Sequence, residues 1–372
     1  MGVLVREGVG MNRGQSALEY LVTYGWVILV IALVGAVVWY FLFFSVTDYN
    51  AAKKCDIYLD LACGDIKVNS MGDLTVVLLN RMGGRISQIG LFGAASSCTP
   101  TSVGPGGNVT CFAAGVLQSG VQGDQFTSQV RGWYVDARSG INHTFTGQIG
   151  GKYESASFAE IRRHFAFISA LSVSFDNGEV HDESPGGNFV GTTGSTPIYD
   201  PSCVVGGCFN FDGSFYFFSP NAPALQLTSS ETIEFWVKPS SFSTSGVVWK
   251  AKGGEGAIEL ESDGTLNYYY GTCGGECPPY QAFSMHNPLQ QGAWSHVALV
   301  RNAAASTIAW YLNGVKTDET SMSFPSAAPS SSSVTIGYGP PGAFRGEIDE
   351  LRLYDRALPL RDIQTIYNGE KP

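Results

Sequence analysis

The sequence predicts a mainly β protein that begins with one long hydrophobic α-helix and continues into two β domains. Three observations predict it: an uncharged apolar stretch over residues 20–47, short alternating segments separated by Gly, Pro and Ser turns, and eight cysteines. A chain of 372 residues is long enough for two or three domains. Its aromatic content of 12% excludes a disordered chain. Its net charge of −10 argues against a nucleic-acid partner, because phosphate binding needs a basic surface.

The apolar stretch over residues 20–47 is long enough to cross a bilayer, since about 20 apolar residues in a helix span the hydrocarbon core. It exceeds the apolar part of an ordinary secretory signal, which has about 7–15 residues. Arg6 and Arg13 precede it, so the N-terminus is expected inside the cell and the bulk of the chain outside. Glu19 stands at the edge of this helix, where a carboxylate is costly to bury without a partner.

The segment Arg-Gly-Gln-Ser-Ala-Leu-Glu-Tyr before the helix resembles the class III signal peptide of archaeal type IV pilins. The resemblance implies a leader over residues 1–14, which a prepilin peptidase removes by cutting between Gly14 and Gln15. It also implies that the helix over 15–52 assembles into a filament, in which the Glu19 carboxylate pairs with a neighbouring subunit's Gln15 α-amine. The alternative is an uncut transmembrane anchor in which Glu19 is incidental.

The eight cysteines fall into four close pairs, and in a chain outside the cell disulfides are expected. The pairs are Cys55/Cys63, Cys98/Cys111, Cys203/Cys208 and Cys273/Cys277. Eight cysteines allow 105 connectivities, so the bonding of neighbours is the simplest proposal. A rival interpretation is a zinc site built from the last four cysteines, whose spacing is a loose version of a zinc ribbon.

Residues 53–165 are predicted to form a small β-sandwich. Their alternation predicts two hairpins, one from 74–79 and 86–92 and one from 130–135 and 143–149. The arrangement of this domain after the helix is similar to that of the β domain in archaeal pilins and archaellins.

Two N-glycosylation sequons lie in the same domain, beginning at Asn108 and Asn142. If they are modified, each marks an exposed loop or strand edge. The mixed polarity of residues 154–170 indicates a connection to the last domain, in which His164 is expected to face solvent.

Residues 168–372 contain the acidity of the chain, with 21 acidic and 10 basic residues from Leu171 onward. Short strands between Gly, Pro and Ser turns predict an all-β domain of jelly-roll size. The predicted strands are 232–237, 247–251, 257–261, 265–270, 295–301, 307–312, 333–338 and 346–354.

Five sequence blocks in this domain resemble concanavalin-like, laminin-G-type jelly rolls and follow the order found in that family. They are FNFDG at 209–213, EFWVKP at 234–239, WSHVALV at 294–300, WYLNG at 310–314 and FRGEIDELRLYDRAL at 344–358. The resemblance implies a domain that binds glycans or proteins, often with a structural Ca²⁺.

A calcium site is expected from Asp176, Asp182 and Asn188 in the oxygen-rich opening of the domain, together with Asp349 of the last strand. Family members often hold calcium in this region, and Ca²⁺ takes six to eight oxygen ligands. The alternative is that these residues only form turns, which Asp and Asn favour.

Tyr268, Tyr270 and Tyr280 are the predicted ligand-binding residues, because they lie near the loop that Cys273 and Cys277 are expected to close and aromatic faces suit the C–H surfaces of sugars. The alternative is that alternate tyrosines belong to the core.

The domain is not expected to be an enzyme. β-Glucanases share the fold and place two carboxylates about 5–5.5 Å apart on alternate positions of a strand. Glu347 and Asp349 are the nearest candidates, but the next position on their face is Leu351, so the set is incomplete.

Together these features predict a surface filament subunit whose jelly-roll head binds an extracellular glycan or a surface protein. Its expected partners are a prepilin peptidase, identical or related pilin subunits, and the membrane before assembly. The alternatives are a membrane-anchored surface receptor or lectin that does not polymerise, and a cell-bound β-glucanase.

Overall fold

The computed structural model describes residues 24–25, 27, 29–36, 53–57, 60–92 and 96–371. The chain comprises two compact units, Met1–Lys54 and Cys55–Pro372. In the first unit the described residues between 24 and 36 are helical, and several of their apolar side chains are exposed, 63% for Leu29 and 65% for Ile31. Among the described residues, no helix is both long enough and apolar enough to span a bilayer. The predicted processing and assembly residues Gly14, Gln15 and Glu19 lie outside the described residues.

A β-sandwich opens the second unit and has two sheets, ordered β1-β9-β8-β4-β6 and β2-β3-β7-β5. Its strands are β1 (Lys54–Ile57), β2 (Leu61–Val68), β3 (Leu74–Asn80), β4 (Ile86–Leu91), β5 (Ser96–Thr99), β6 (Ser102–Val103), β7 (Asn108–Ala113), β8 (Gln125–Asp136) and β9 (Asn142–Lys152). Alternate side chains of β3 and β8 fill the space between the sheets, which is the pattern expected of half-buried strands.

One of the two predicted hairpins of the sandwich is confirmed and the other is wrong. β8 and β9 pair along their length, from Gln125 opposite Lys152 to Val135 opposite Asn142. The strands predicted as the other hairpin, β3 and β4, belong to different sheets. Buried Asn80 ends β3, and its side-chain amide donates to the carbonyls of Gly84 and Val103. These bonds stabilise a turn that carries the chain across the core, so β4 does not return beside β3.

The predicted connection to the last domain contains a helix, α1 (Phe158–Ile168). Ser157 and Glu160 form a capping box at its N-terminus, in which the Ser157 hydroxyl accepts from the Glu160 amide and the Glu160 carboxylate accepts from the Ser157 amide. Ile161, Phe165 and Ile168 form one apolar stripe of the helix. The capping box and this stripe are the sequence signals that the expectation of a plain connection missed.

A jelly roll follows, made of two sheets packed face to face. Its strands are β10 (Leu171–Ser174), β11 (His181–Asp182), β12 (Gly191–Gly194), β13 (Ile198–Asp200), β14 (Cys208–Phe211), β15 (Phe215–Ser219), β16 (Glu231–Pro239), β17 (Ser245–Ala251), β18 (Gly256–Leu260), β19 (Leu266–Gly271), β20 (Tyr280–Ser284), β21 (Ser295–Asn302), β22 (Thr307–Leu312), β23 (Val315–Ser321), β24 (Val334–Ile336), β25 (Tyr338–Gly339), β26 (Gly342–Ala343) and β27 (Gly346–Tyr354), and a C-terminal helix, α2 (Leu360–Glu370), ends the domain. Each predicted strand of this domain is therefore present.

The first jelly-roll sheet has the order β11-β10-β27-β16-β21-β22-β23, with β14 also pairing with β27 and β13 with β14. The second has the order β12-β15-β24-β17-β18-β19-β20, with β26 pairing with β17 and β25 with β26. Phe211, Phe217 and Trp310 are among the fully buried side chains between the two sheets. This sandwiched core leaves each sheet with one outer face.

The outer face of the first sheet is covered by α1 and α2. The buried cluster formed there contains Ala298, Val300, Ala309, Tyr311 and Tyr354 of the sheet, Phe165 of α1, and Ile363 and Ile366 of α2. Because the connecting helix is part of this cluster, the β-sandwich and the jelly roll belong to one compact unit.

Candidate functional site

The outer face of the second jelly-roll sheet contains a row of residues in register across seven strands. Each is the direct partner of the next, so all lie on one face. The row is Gly191, Phe218, Thr335, Trp249, Ala257, Tyr269 and Ala282. Aromatic residues therefore occupy alternate strands, with small residues between them. Since neighbouring strands lie about 4.8 Å apart, the ring-bearing positions are about 9.6 Å apart.

Tyr268 and Tyr270 lie in the core and not on the outer face, which corrects their prediction as ligand-binding residues. Both are fully buried and their rings stack with centroids 6.0 Å apart. The Tyr268 hydroxyl donates to the Glu231 carboxylate at 3.0 Å. Because side chains alternate along a strand, Tyr269 between them is the residue that faces outward. Tyr280, on the edge strand β20, is 40% exposed, and ligand binding by this residue stays a prediction.

The Lys252 ammonium lies against three aromatic rings of this outer face. Its Nζ is 3.8 Å from the Tyr269 ring centroid, 5.6 Å from that of Tyr280 and 5.9 Å from that of Trp249. Glu259 lies 3.5 Å from the same Nζ. Burial and the nearby Glu259 carboxylate raise the pKa of the Tyr269 hydroxyl, so it stays neutral and able to donate. We call these three rings with Lys252 the lysine box.

A short disulfide loop contacts the lysine box. Cys273 bonds Cys277, and Glu276 inside the loop accepts a hydrogen bond of 3.0 Å from the Trp249 indole nitrogen. The other cysteines also bond to their neighbours in sequence, as Cys55–Cys63, Cys98–Cys111 and Cys203–Cys208. The zinc interpretation required free thiolates from the last four cysteines, and these form two separate disulfides instead.

The four predicted calcium residues fall into two pairs. In the first pair, both carboxylate oxygens of Asp182 accept from protein donors: the amides of Ser172 and Ser184, the Ser184 hydroxyl, and the amide and side-chain nitrogen of Asn188. The Asn188 side-chain nitrogen also donates to the Ala170 carbonyl. This arrangement closes a turn, which was the alternative interpretation of these residues.

The second pair, Asp176 and Asp349, is held by the loop between Cys203 and Cys208. The Gly207 amide donates to Asp176 at 3.2 Å and the Val205 amide donates to Asp349 at 3.1 Å. Burial, reinforced by the neighbouring Glu350 carboxylate, raises the pKa of Asp349 to about 8.

A metal site needs at least three side-chain ligand atoms close together. Among the described residues, His, Cys, Asp and Glu meet this condition, with ligand atoms within 4.8 Å of one another, only at Cys203, Cys208 and Glu347. Cys203 and Cys208 are bonded to each other in a disulfide. As arranged, the four predicted oxygen ligands do not converge on one point. Calcium binding therefore stays a prediction of the family resemblance.

The domain that carries these features matches a known family. Residues 211–364 fit the Laminin_G_3 family model, described as the concanavalin A-like lectin/glucanases superfamily. The C-terminal domain is a laminin-G-like jelly roll. Human usherin is 28% identical over 162 residues, which cover 41% of this chain and 3% of usherin. Rat usherin is 28% identical over 173 residues, 43% of this chain and 3% of that protein. The chain thus spans about 3% of the length of these relatives.

Several solved structures are similar to the laminin-G-like domain. Domain 4 of AbnA, an extracellular arabinanase of Geobacillus stearothermophilus, in complex with arabinotriose, is 23% identical with a TM-score of 0.45, covering 54% of this chain and 98% of that one. The binding domain of Paraclostridial Mosquitocidal Protein 1 is 15% identical with a TM-score of 0.46, and the match covers 54% of this chain and 52% of that one. The binding domain of botulinum neurotoxin DC, in complex with rat synaptotagmin II, is 14% identical with a TM-score of 0.46, and the match covers 56% of this chain and 52% of that one.

The two carboxylates considered for catalysis, Glu347 and Asp349, are respectively paired with a lysine and buried in the laminin-G-like domain. Glu347 pairs with Lys238 at 2.8 Å, and Asp349 is fully buried. Glu350 adopts a φ of 48° where the pairing of β16 with β27 shifts register, which is a β-bulge. The bulge places Leu351 in the core, so the strict alternation expected along this strand is interrupted.

His164 of α1 is buried, contrary to the expectation that it faces solvent. Its Nδ1 lies 2.5 Å from Oδ1 of Asp73, which also accepts from the Gly115 amide. A cleft of about 620 Å³ lies beside it, between the sandwich and the laminin-G-like domain, and its polar lining includes Ser169, Arg356 and Asp362. These contacts join the two domains through α1.

Proposed function

We propose that this protein is a cell-surface attachment protein, in which the laminin-G-like domain recognises an extracellular glycan or protein. The observation that supports this most directly is the aromatic outer face of the second sheet. The first sheet's outer face is buried under α1 and α2, so the second sheet's outer face is the one available to a ligand. Tyr280 and Tyr338 on that side are each about 40% exposed, and exposed aromatic rings are characteristic of binding surfaces.

We further propose that the protein is a filament subunit of the type IV pilin kind. The supporting sequence is the Gly14–Gln15 junction followed by Glu19 and a long apolar helix. The exposure of Leu29, Ile31 and Leu33 in the first unit is consistent with a helix that packs against other copies. In such a bundle the Glu19 carboxylate and a neighbour's new α-amine would neutralise each other. The precursor would reside in the membrane, and the assembled chain on the cell surface.

The domain is proposed to bind its ligand without chemical conversion. Retaining glycosidases need a nucleophile and an acid/base that face one cleft. Here the Glu347 carboxylate is held by Lys238, and Asp349 has no exposed surface. Replacing Glu347 with Gln and assaying glucan hydrolysis tests this, because loss of a measurable activity would establish the glucanase alternative.

The decisive experiment for the filament proposal is mass spectrometry of the mature N-terminus, combined with electron microscopy of cells expressing the chain. We expect a mature chain beginning at Gln15 and surface filaments that contain it. A Gly14→Val variant should remain uncut, while an Arg6→Gln variant, with a change away from the junction, should be processed. A chain that retains Met1 and forms no filament would favour the membrane-anchored receptor.

Attachment is tested separately, by comparing the binding of cells with and without the laminin-G-like domain to glycan- and protein-coated surfaces. We expect attachment to be lost with the domain while filaments persist. Equal attachment by both strains would overturn the adhesive role.

A further inference from the structure

A second aromatic cluster lies on the outer face of the second jelly-roll sheet, at its β12 edge. It comprises Phe189, Tyr216, Phe218 and Tyr338, and we call it the four-ring cluster. Phe215, Phe217 and Ser219 of β15 are buried, whereas Tyr216 and Phe218 between them face outward. Phe189 is 65% exposed and Tyr338 is 39% exposed. Such a concentration of exposed rings is unusual on a soluble domain and indicates a binding surface.

The rings of the four-ring cluster are held in place as two contacting pairs. Tyr216 and Tyr338 stack, with centroids 4.7 Å apart and an angle of 19° between planes. Phe189 and Phe218 meet at 64°, with centroids 6.1 Å apart. Gly191 permits the second pair, because a Cβ at that position would lie 2.7 Å from the Phe189 ring and 2.9 Å from the Phe218 ring. The rings are therefore oriented before any ligand arrives, which lowers the entropic cost of binding.

Side chains with hydroxyl groups surround the four-ring cluster, and the nearby Asp212 carboxylate accepts hydrogen bonds from the protein itself. Thr193 is the cross-strand partner of Tyr216, so its side chain lies on the same face. At the end of the same strand pair, Ser195 and Ser214 contact each other through their hydroxyls. Asp212 accepts from the amide and hydroxyl of Ser214, and these bonds lower the pKa of its carboxyl group. The surface thus offers ring faces and hydroxyl groups to a ligand.

The net charge of the domain disfavours anionic ligands. With 21 acidic and 10 basic residues from Leu171 onward, the domain repels sulfated or uronic acid-rich polymers and anionic lipid surfaces. A neutral saccharide carries no such penalty, and it presents apolar C–H faces for the rings together with hydroxyl groups for hydrogen bonds. The four-ring cluster matches both properties.

We propose that the four-ring cluster binds the sugar rings of a neutral saccharide chain. The inference rests on the proposed attachment function and names its ligand class. Trp249, Ala257 and Tyr269 of the row are buried, so the accessible rings are those of the four-ring cluster itself. Its two ring pairs are anchored at Tyr216 and Phe218, two positions apart on β15 and thus about 7 Å apart, so neighbouring sugar units of one chain can each meet a ring pair. Affinity is therefore expected to rise with chain length.

The test uses the full chain in detergent micelles and a glycan array. The array carries neutral di-, tetra- and hexasaccharides of glucose, xylose, mannose, galactose and arabinose, with polygalacturonate and heparin fragments as anionic probes. We expect binding to at least one neutral series, with hexamers bound more tightly than dimers and no comparable binding of the anionic probes. Binding restricted to the anionic probes, or no binding to any neutral series, would overturn the proposal.

The ring assignment is tested with a Phe189→Ser/Tyr338→Ala double variant. We expect at least about a tenfold loss of affinity for the neutral ligand, since two stacking surfaces are removed. Gly191→Ala is a second variant, in which all four rings remain but the Phe189–Phe218 pair must separate, and it should weaken binding as well. Phe92→Ser is the matched control, because Phe92 is 50% exposed but belongs to the β-sandwich, and it should bind as the unaltered chain does. Unchanged affinity in both cluster variants would refute the assignment.

The two proposals fail in different ways. If cells carrying the cluster variants attach normally and their chains bind neutral saccharides normally, the inference falls and the attachment function stands. If the purified chain binds saccharides through the four-ring cluster but cells never attach through it, the inference stands and the attachment function falls.

Discussion

Arg162 of the connecting helix forms two parallel hydrogen bonds with the carboxylate of Glu350, 188 positions later in the chain. Nε lies 2.9 Å from Oε2, and the second guanidinium nitrogen lies 2.6 Å from Oε1. The remaining nitrogen pairs with Asp176 at 2.8 Å. The planar guanidinium suits this geometry, which a lysine ammonium cannot reproduce. One side chain of α1 thereby binds both the opening turn and the last strand of the jelly roll.

Glu350 belongs to a larger buried ion network under α2. Arg352 contacts three carboxylates, those of Glu234 at 2.7 Å, Glu370 at 2.6 Å, and Glu350. Each of these side chains is nearly inaccessible to solvent, so every charge depends on its partners for compensation.

Arg162→Ala is expected to lower the free energy of unfolding by about 3 kcal/mol, because it leaves the buried Glu350 carboxylate with one cation fewer. Denaturant unfolding of the detergent-solubilised chain measures the effect. Arg356→Ala serves as the control, since Arg356 pairs with Asp355 at an exposed site and should contribute less than about 0.5 kcal/mol. Equal effects from the two variants would mean that the ion pair on α1 contributes little.

Asp349→Asn is expected to make stability less dependent on pH. Burial raises the pKa of Asp349 to about 8, whereas in the unfolded chain it titrates near 4. Between these values the folded state holds a proton that the unfolded state has released, so the free energy of unfolding falls as the pH rises. The variant lacks this proton exchange and should lose less stability than the unaltered chain between pH 5 and 8.

Denaturant unfolding at pH 5, 6.5 and 8 measures the pH effect. The variant should retain part of the dependence of unfolding free energy on pH, because burial also raises the pKa values of Glu231 and Glu350 to about 7. Asp355→Asn, at an exposed position, is the control and should leave the slope unchanged. If Asp349→Asn shows the same dependence of unfolding free energy on pH as the unaltered chain, Asp349 does not take up a proton on folding.

A fragment of residues 168–372 is expected to be less stable than one of residues 155–372. Without α1, the shorter fragment exposes the apolar surface that Phe165 covers and leaves Glu350 without Arg162. Thermal unfolding and size-exclusion chromatography of both fragments measure this, and the shorter one should unfold at a lower temperature or self-associate. Identical behaviour would show that α1 is dispensable for the jelly roll.

Asp182→Ala is expected to destabilise the domain to the same extent with and without Ca²⁺, because the Asp182 oxygens bind protein donors in the structure. The measurement is thermal unfolding in millimolar CaCl₂ and in chelator. A destabilisation seen only in the presence of calcium would instead establish Asp182 as a ligand of the predicted ion. Asp263→Ala, in an exposed turn of the same domain, is the control and should be insensitive to calcium.

Glycosylation is expected at Asn108 and Asn142 when the chain is produced in its native host. Both asparagines and both acceptor threonines, Thr110 and Thr144, are exposed in the sandwich. Peptide mass spectrometry should show added sugar mass on each sequon, which disappears in Asn108→Gln and Asn142→Gln. Peptides at their unmodified mass would contradict the prediction.

The strand pattern was predictable because it depends on local alternation. Strands such as β16, β21 and β27 contain β-branched and aromatic residues between turn signals, and each was located to within a few residues. The pairing of cysteines with their nearest neighbours also needed no knowledge of the distant chain, because each pair closes a short loop.

The choice between the two faces of a strand was not predictable where both carry rings. In β19 three consecutive tyrosines satisfy either assignment, and only the opposing sheet determines that Tyr268 and Tyr270 fill the core while Tyr269 faces outward. The four-ring cluster has the same origin, because only the tertiary structure brings Phe189 beside Phe218 and Tyr338 beside Tyr216.

Local alternation and turn residues thus predicted most β-strands of the two β domains and their order along the chain. Partners far apart in sequence decided the rest: the sheet that each strand joins, the burial of His164 against Asp73, and the ion pair between Arg162 and Glu350. The physical reason is that burial and ion pairing depend on which surfaces meet, and those surfaces come from segments up to 188 residues apart.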